Sequence, residues 1–477
     1  MRTGTFVALP IALVVFATHN ASLAPRSLPK AELIQDLSKS LSGFCRFDDT
    51  FGSDSCPDQF TPLAIDVAFM ALDPINGFAM WRTDGTRAGT TLIRDVNSIR
   101  IFNPIVAGNG VMFFAALDRS GQFGTELWRS DGTFNGTVMV ADLNPGPASS
   151  QGPSPLMLNA AGMLYFSASD GVSGFELWKI EAGRSVPGTG LLPRPQLVKD
   201  VYPGPGHGGA SGFAFAGSTL FFAAQDPEHG FELWKSDGTT KGTVLVKDIL
   251  PGPGWSVPRY IVPFGDRVLF TTDLNDDEAR SGLWISDGTE AGTLRLESHP
   301  YVSNIIAAGD RAFFLSFTDE TGWEWGVTDG TVAGTHIIDA RPGPEGLGDS
   351  YWFAALGNKL IFSPTDGYQP GTWFEPWVSD GTVEGTRLLK DIGSGVNASD
   401  PREFIAAGDL VFFSAFDDAH GRELWVTDGT TEGTRLVKDL NHGPGDAFPT
   451  SLRSIRGVLY MSADDGVHGF EPWKVTP

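Results

Sequence analysis

The chain is poor in the residues that carry most enzyme chemistry. Among 477 residues there are two cysteines, eight histidines and seven tyrosines. Two cysteines exclude a disulfide framework and any cysteine-rich metal centre. Cys45 and Cys56 flank a short polar stretch, and in an exported chain such a pair forms one disulfide that closes a loop. No GxSxG elbow, GxxxxGK[ST] phosphate loop, HExxH or CxxC motif occurs, which removes the common hydrolase, nucleotide, zinc-peptidase and redox signatures. Basic residues are scarce too: 34 Lys and Arg against 57 Asp and Glu leave a formal net charge of −23. Nucleic acids and anionic membrane surfaces require basic patches, so neither is an expected partner. The one long apolar run, Phe6 to Phe16, is too short to span a bilayer. With Arg2 before it and Ser22-Leu23-Ala24 after it, residues 1–24 read as a secretory signal, and the protein as secreted or held in the cell envelope. A short uncleaved anchor is the alternative. Nothing later is apolar enough to cross a membrane as a helix.

What the chain has in abundance is turn and core material: 59 Gly, 32 Pro, 34 Phe and 13 Trp. It also repeats. One phrase, fullest at Gly230 to Gly254 as GFELWKSDGTTKGTVLVKDILPGPG, returns with its tryptophan at Trp81, Trp128, Trp178, Trp234, Trp284, Trp325, Trp377, Trp425 and Trp473. A period of about 50 residues with several short strands marks a propeller or a similar array. In one unit Val244–Ile249, Arg259–Pro263, Arg267–Thr272 and Leu283–Ser286 read as successive strands, separated by Pro/Gly and Asp-Gly turns. The third of these recurs as an almost uninterrupted apolar run, for example MFFAA from Met112 and LFFAA from Leu220. Such strands are buried on both faces, as stacked blades require. The expectation is an all-β protein, one propeller of nine four-stranded blades over residues 25–477, with eight blades as the alternative. Glu32–Leu37 reads as the first strand of a first unit that carries the cysteine loop, residues 38–60. The ring is expected to close by docking the first blade on the last, with no shared strand.

The segments ELWRSDGT at Glu126, ELWKSDGT at Glu232 and ELWVTDGT at Glu423 resemble the bacterial ELWxxDGT repeat family. That resemblance implies an exported protein and little about activity. A second resemblance concerns packing. Ala168, Asp170, Gly174 and Trp178 have a spacing similar to the tryptophan-docking motif of quinoprotein propellers. It implies an indole wedged between adjacent blades, with its N–H on a partner. No site for a quinone cofactor accompanies it, and no cofactor is expected.

Seven aspartates of the DGT turns, Asp84, Asp131, Asp237, Asp287, Asp329, Asp380 and Asp428, are expected as a ring on one face. They are either a repeated ligand- or cation-binding surface or plain turn chemistry. Acidic loops such as ADDGVHG at Ala463 permit weak calcium sites. His229, His420 and His468 hold equivalent turn positions in separate units. The sixth and seventh units carry extra aromatics, Trp323, Trp352, Phe353, Tyr368, Trp373 and Phe374, suited to glycan stacking or to local repacking. The insertion Glu181–Pro195 is a further irregularity. The function expected from these features is a non-catalytic exported propeller that binds a protein or glycan; the alternative is a glycan-cleaving propeller using carboxylates on one face. Blade-specific polar side chains converging on the channel mouth would mark an enzyme, and a mouth lined by repeated DGT residues a scaffold.

Overall fold

A computed structural model describes residues 29–37, 57–73, 77–95, 99–150, 156–183, 193–272, 281–299, 301–365, 374–393 and 398–476. Within them every regular element is a strand, and the strands form nine four-stranded antiparallel sheets. The innermost strands are Asp58–Leu63, Ile99–Gly108, Leu156–Leu158, Ser211–Ala216, Arg259–Phe264, Tyr301–Ala308, Trp352–Leu356, Arg402–Ala407 and Thr450–Ile455, for blades 1 to 9 in that order. Each touches the corresponding strand of the next blade, and the last touches the first. The ring is closed, and the protein is a nine-bladed β-propeller.

The strand segments fall where the apolar runs put them, but their grouping differs. The DGT turn does not join two blades. It is the hairpin between the third and outer strands of one blade, as in Gly230–Ser236 paired with Val244–Lys247. The chain crosses to the next blade through the Pro/Gly loop that follows. Closure differs as well. Lys30–Leu33 pairs with Phe470–Thr476 as the outer strand of blade 9, with Lys30 opposite Thr476 and Leu33 opposite Trp473. The seam is therefore a shared sheet built from both ends of the sequence, not a docked pair of complete blades. The reason is visible in Glu32–Leu37, whose likeness to the outer-strand phrase RLVKDL marks it as the strand blade 9 lacks. The 38–60 insertion is shorter than expected, because Asp58 already begins the inner strand of blade 1.

The core lies between blades. Trp284 of blade 5 shares a cluster with Phe221, Ala223 and Leu233 of blade 4, and Trp128 of blade 2 one with Met70 and Met80 of blade 1. Second strands such as Val111–Asp118 are buried along nearly their full length, which is why alternation is absent from their sequence.

Inner strands carry one recurring irregularity. In six blades a bulge interrupts the register near the strand start and leaves one residue in the left-handed region: Gln59, Gly212, Tyr260, Asn304, Glu403 and Ser451, with φ from 48° to 63°. Only one of the six is glycine, so the strain is carried by side-chain-bearing residues. The bulge turns these side chains along the ring. Asn304 donates to the Ser350 carbonyl at 3.1 Å, Glu403 accepts the Leu452 amide at 3.3 Å, and Ser451 donates to Asp58 at 3.1 Å. Each bond links one blade to the next, which offsets part of the strain.

Candidate functional site

The seven DGT hairpins are built alike. In each, Asp Oδ1 accepts both the amide and the hydroxyl of the threonine two residues on, for example Asp237 from Thr239 at 2.8 and 2.7 Å. That threonine's hydroxyl accepts the amide of the following glycine, Gly242, at 3.0 Å. The second threonine closes the hairpin, with Thr243 Oγ1 donating to the Thr239 carbonyl and paired with Ser236 Oγ. The glycine is obligatory for packing: a Cβ at Gly242 would lie 2.1 Å from Asp237 Oδ1, and the same clash occurs at Gly89, Gly136, Gly292, Gly334, Gly385 and Gly433. The threonine bonds hold Asp84, Asp237, Asp287, Asp329 and Asp380 below the usual carboxylate range. These aspartates, with Asp131 and Asp428 in the same bonding pattern, stand on the hairpins of the outer strands, away from the inner strands that line the channel. Their chemistry is spent on the turn.

The tryptophans sit on the third strands against the preceding blade, except Trp325, which stands one register position early and packs on Phe353 and Phe362 of the following blade. Trp128, Trp178, Trp234, Trp284, Trp325, Trp425 and Trp473 are buried, while Trp81 and Trp377 are half-buried. A cation from the preceding blade's outer strand covers several of them: Lys199 lies 5.4 Å from the Trp234 ring, Lys390 5.8 Å from Trp425 and Lys438 5.3 Å from Trp473. Lys199 and Lys390 also bond the carbonyls of Thr243 and Thr434 in the next hairpin, at 2.8 and 2.6 Å. The expectation that every indole N–H finds a partner does not hold. Trp284, Trp325 and Trp473 donate to Thr272, Ser350 and the Ala463 carbonyl. The N–H groups of Trp81, Trp128, Trp178, Trp234, Trp377 and Trp425 are buried without an acceptor. Ring burial holds these indoles in place, with a facing cation at Trp128, Trp234 and Trp425.

Function is better sought where blades differ, and they differ at the starts of the inner strands. These starts ring one mouth of the channel, on the face opposite the DGT hairpins. Two arcs are distinct. On blades 5 to 7 the mouth is aromatic: Tyr260, Tyr301, Tyr351 and Trp352 are exposed at or just before strand starts, and Trp255 is exposed in the loop leading to blade 5. On blades 8, 9 and 1 it is charged. Asp400 accepts Arg402 at 2.6 Å and Arg422 at 2.9 Å. Glu403 stands beside them, and Ser451 bonds Asp58 across the seam between blades 9 and 1. Burial pushes the Glu403 carboxyl up; the Leu452 amide opposes this, and the charge of Asp58 adds to it. Further along the same three inner strands a cleft of about 400 Å³ is lined by Pro62, Ile405, Ala406, Arg453, Ser454 and Arg456. The inner strands pair on one side only, so their other edge offers backbone donors and acceptors to the channel.

The remaining candidates resolve more simply. His229, His420 and His468 each face the aspartate three residues earlier, Asp226, Asp417 and Asp465, at 2.9, 2.9 and 2.7 Å, and stay apart in blades 4, 8 and 9. Phe353 packs edge-on against Trp325 at 5.2 Å, and Trp323 against Phe317 at 5.3 Å, which is local repacking. Phe374 is half-buried at φ 51°. Tyr368, Trp373, Cys45, Cys56, residues 1–24 and most of Glu181–Pro195 lie outside the described residues. Among the described residues no group of three or more His, Cys, Asp or Glu side chains is placed to hold a metal, and no helix is long and apolar enough to cross a membrane.

No protein-family model matches the chain, and no curated protein does. Solved structures do match. A puromycin hydrolase is 16% identical over 86% of this chain and 58% of its own, with a TM-score of 0.40. An uncharacterised Listeria monocytogenes protein is 11% identical over 85% of this chain and 97% of its own, at 0.38. The β-propeller domain of the Trilobed protease from Pyrococcus furiosus is 9% identical over 81% and 99%, at 0.35. The chain thus spans about three fifths of the puromycin hydrolase, and the likeness is one of fold. Prolyl endopeptidases and a post-proline cleaving enzyme from Rickettsia typhi are also similar. The expectation of a non-catalytic propeller binding a protein or glycan, and that of a glycan-cleaving one, are not what these similar chains carry, since they include peptidases. The mouth itself is lined by blade-specific polar and aromatic residues, not by the repeated DGT turns.

Proposed function

We propose that the protein acts on peptides at the charged and aromatic mouth of its channel. The observation that carries this reading is the departure of the inner-strand starts from an otherwise regular repeat. An extended peptide matches the free strand edges by backbone hydrogen bonding, as strand addition does elsewhere. The aromatic arc of blades 5 to 7 takes its apolar side chains, and the acidic overall charge favours cationic peptides. Glu403 and Asp58 are the reacting pair. Two carboxyl groups in different surroundings divide the roles of acid and base. In hydrolysis, water oxygen attacks the carbonyl carbon and gives its proton to the Asp58 carboxylate. Glu403 passes its proton to the departing amine nitrogen as the C–N bond breaks. The test is incubation of the full chain with a defined mixture of synthetic peptides, read by mass spectrometry. The wild type should cleave a subset rich in aromatic and basic residues. Glu403→Gln, which keeps the acceptor for the Leu452 amide, should lose at least about 100-fold in rate with an unchanged unfolding midpoint. No cleavage by the wild type, or full cleavage by Glu403→Gln, would refute the assignment.

A further inference from the structure

Seven third strands carry a buried glutamate two residues before the tryptophan position, and each lies under the loop that leads to the next blade. In blades 2, 3, 4 and 7 both carboxylate oxygens are occupied, in blade 3 by the Val201, Tyr202 and Gly208 amides on Glu176. Glu126 accepts the amides of Leu143 and Ser150, each at 3.0 Å. Glu232 accepts the Ile249 and Leu250 amides and the Ser256 hydroxyl. Glu375 accepts Ile392, Gly393 and both the amide and hydroxyl of Ser399. In blades 2, 4 and 7 a serine stands 24 residues after the glutamate.

Blades 6 and 8 lack that serine. Leu347 and Ala447 take its place, their amides bonding the carbonyl of the residue before the glutamate as the serine amides of blades 2 and 4 do. Glu324 accepts the Arg341 amide through Oε1 at 3.1 Å, and Glu423 accepts the Asn441 amide through Oε1 at 2.9 Å. Both side chains are fully buried, yet Oε2 of each has no hydrogen-bond partner. Asp339 Oδ1 and Asp439 Oδ1, just after the outer strand, are buried and unpartnered as well; Asp142, Asp200 and Asp248 share that trait in blades 2 to 4, so what sets blades 6 and 8 apart is the free glutamate oxygen beside it. Asp339 bears electrostatically on Glu324, and Asp439 on Glu423. Arg341 bonds the Gly346 carbonyl and Glu345, and Arg422 bonds Asp400. Two enclosed carboxyl groups with free oxygens are met either by a shared proton or by a cation between them. A hard divalent ion takes such oxygen ligands, and the Pro/Gly loops ARPGPEG and NHGPGD supply carbonyls beside them.

We propose that blades 6 and 8 each bind a calcium ion, one between Glu324 Oε2 and Asp339 Oδ1 and one between Glu423 Oε2 and Asp439 Oδ1. Loop carbonyls and water complete each shell. These sites differ from the acidic loops before the third strands, where the sequence alone permits calcium. The blade 8 loop also holds Asp446, which accepts the Arg422 amide at 2.7 Å, so the ion steadies the charged arc of the mouth.

The test is calcium titration of the chelator-stripped full chain, with metal analysis of the loaded protein. Ala447→Ser restores the hydroxyl that closes Glu232 and Glu375 and should fold as the wild type does. The wild type should bind two ions at these sites, Ala447→Ser one fewer, and Ala447→Ser with Glu324→Gln neither. Should Ala447→Ser fail to fold, Glu423→Gln reports on the same site. A stripped wild type that binds no calcium, or a blade 8 variant that keeps the full complement, would overturn the proposal.

Discussion

Removal of residues 1–37 should open the ring, whereas removal of residues 1–28 should not. The segment between contributes three things to blade 9. Lys30–Leu33 supplies the ladder along Phe470–Thr476. Ile34 is 3% exposed, and burying such a side chain stabilises by about 1.5–3 kcal/mol. The Leu37 amide donates to Glu471 Oε2 at 2.8 Å; depriving a buried carboxylate of such a donor costs about 1–3 kcal/mol. With the strand ladder added, the loss is on the order of 4–8 kcal/mol, a large part of the ~5–15 kcal/mol that holds a typical domain together. The assay is urea unfolding followed by tryptophan fluorescence, because Trp473 lies opposite Leu33. The shorter deletion should leave the midpoint unchanged. The longer one should lower it severely, and Ile34→Ala alone should cost about 2–4 kcal/mol. Equal midpoints for the two deletions would refute the shared-strand closure.

Other outcomes follow from the same structure. Burial raises Glu176 and Glu232 to about 7, and Glu324 and Glu423 to about 8, against amide bonds that pull the other way. A carboxyl raised in the folded state adds stability that is fully present below its unfolded value near 4.5 and lost as pH rises through 7–8. In chelator, thermal midpoints should therefore fall between pH 5 and pH 8, and Glu423→Gln should flatten that slope; a rising slope would contradict the assignment. Gly242→Ala should lower the unfolding midpoint by forcing Asp237 out of its hairpin, and adding Asp237→Ala should recover part of the loss; no recovery would mean that the clash is not the cause. Trp325→Ala, which removes a side chain 1% exposed and packed on Phe353 and Phe362, should cost about 3–5 kcal/mol by denaturant unfolding.

The nine blades were legible because their signal is redundant. Doubly buried second strands read as apolar runs, and the tryptophan and DGT turn punctuate each unit. Where one blade ends was not legible. DGTxxGT and the Pro/Gly loop both look like turns, and only pairing shows that the first is a hairpin within a sheet. The same ambiguity puts Glu32–Leu37 at the start of a first unit, although its likeness to RLVKDL, an outer-strand phrase, points to the strand it completes in blade 9. The glutamate before the tryptophan repeats along the sequence, but its partners are loop amides some 17 to 32 positions away, beyond any local pattern. The mouth was hidden for a different reason. Inner strands are short, their bulges break the period of two, and Gln59, Tyr260, Asn304, Glu403 and Ser451 share a backbone conformation with no residue type in common.

The most direct test of the account places a bound peptide on the ring. A substrate peptide carrying a photoreactive residue, bound to the Glu403→Gln chain and cross-linked, should attach to the inner-strand starts of blades 5 to 9 and 1, near Tyr260, Trp352, Arg402 and Asp58. Cross-links confined to the DGT hairpins around Asp237 and Asp428 would contradict the account and return the function to the outer strands.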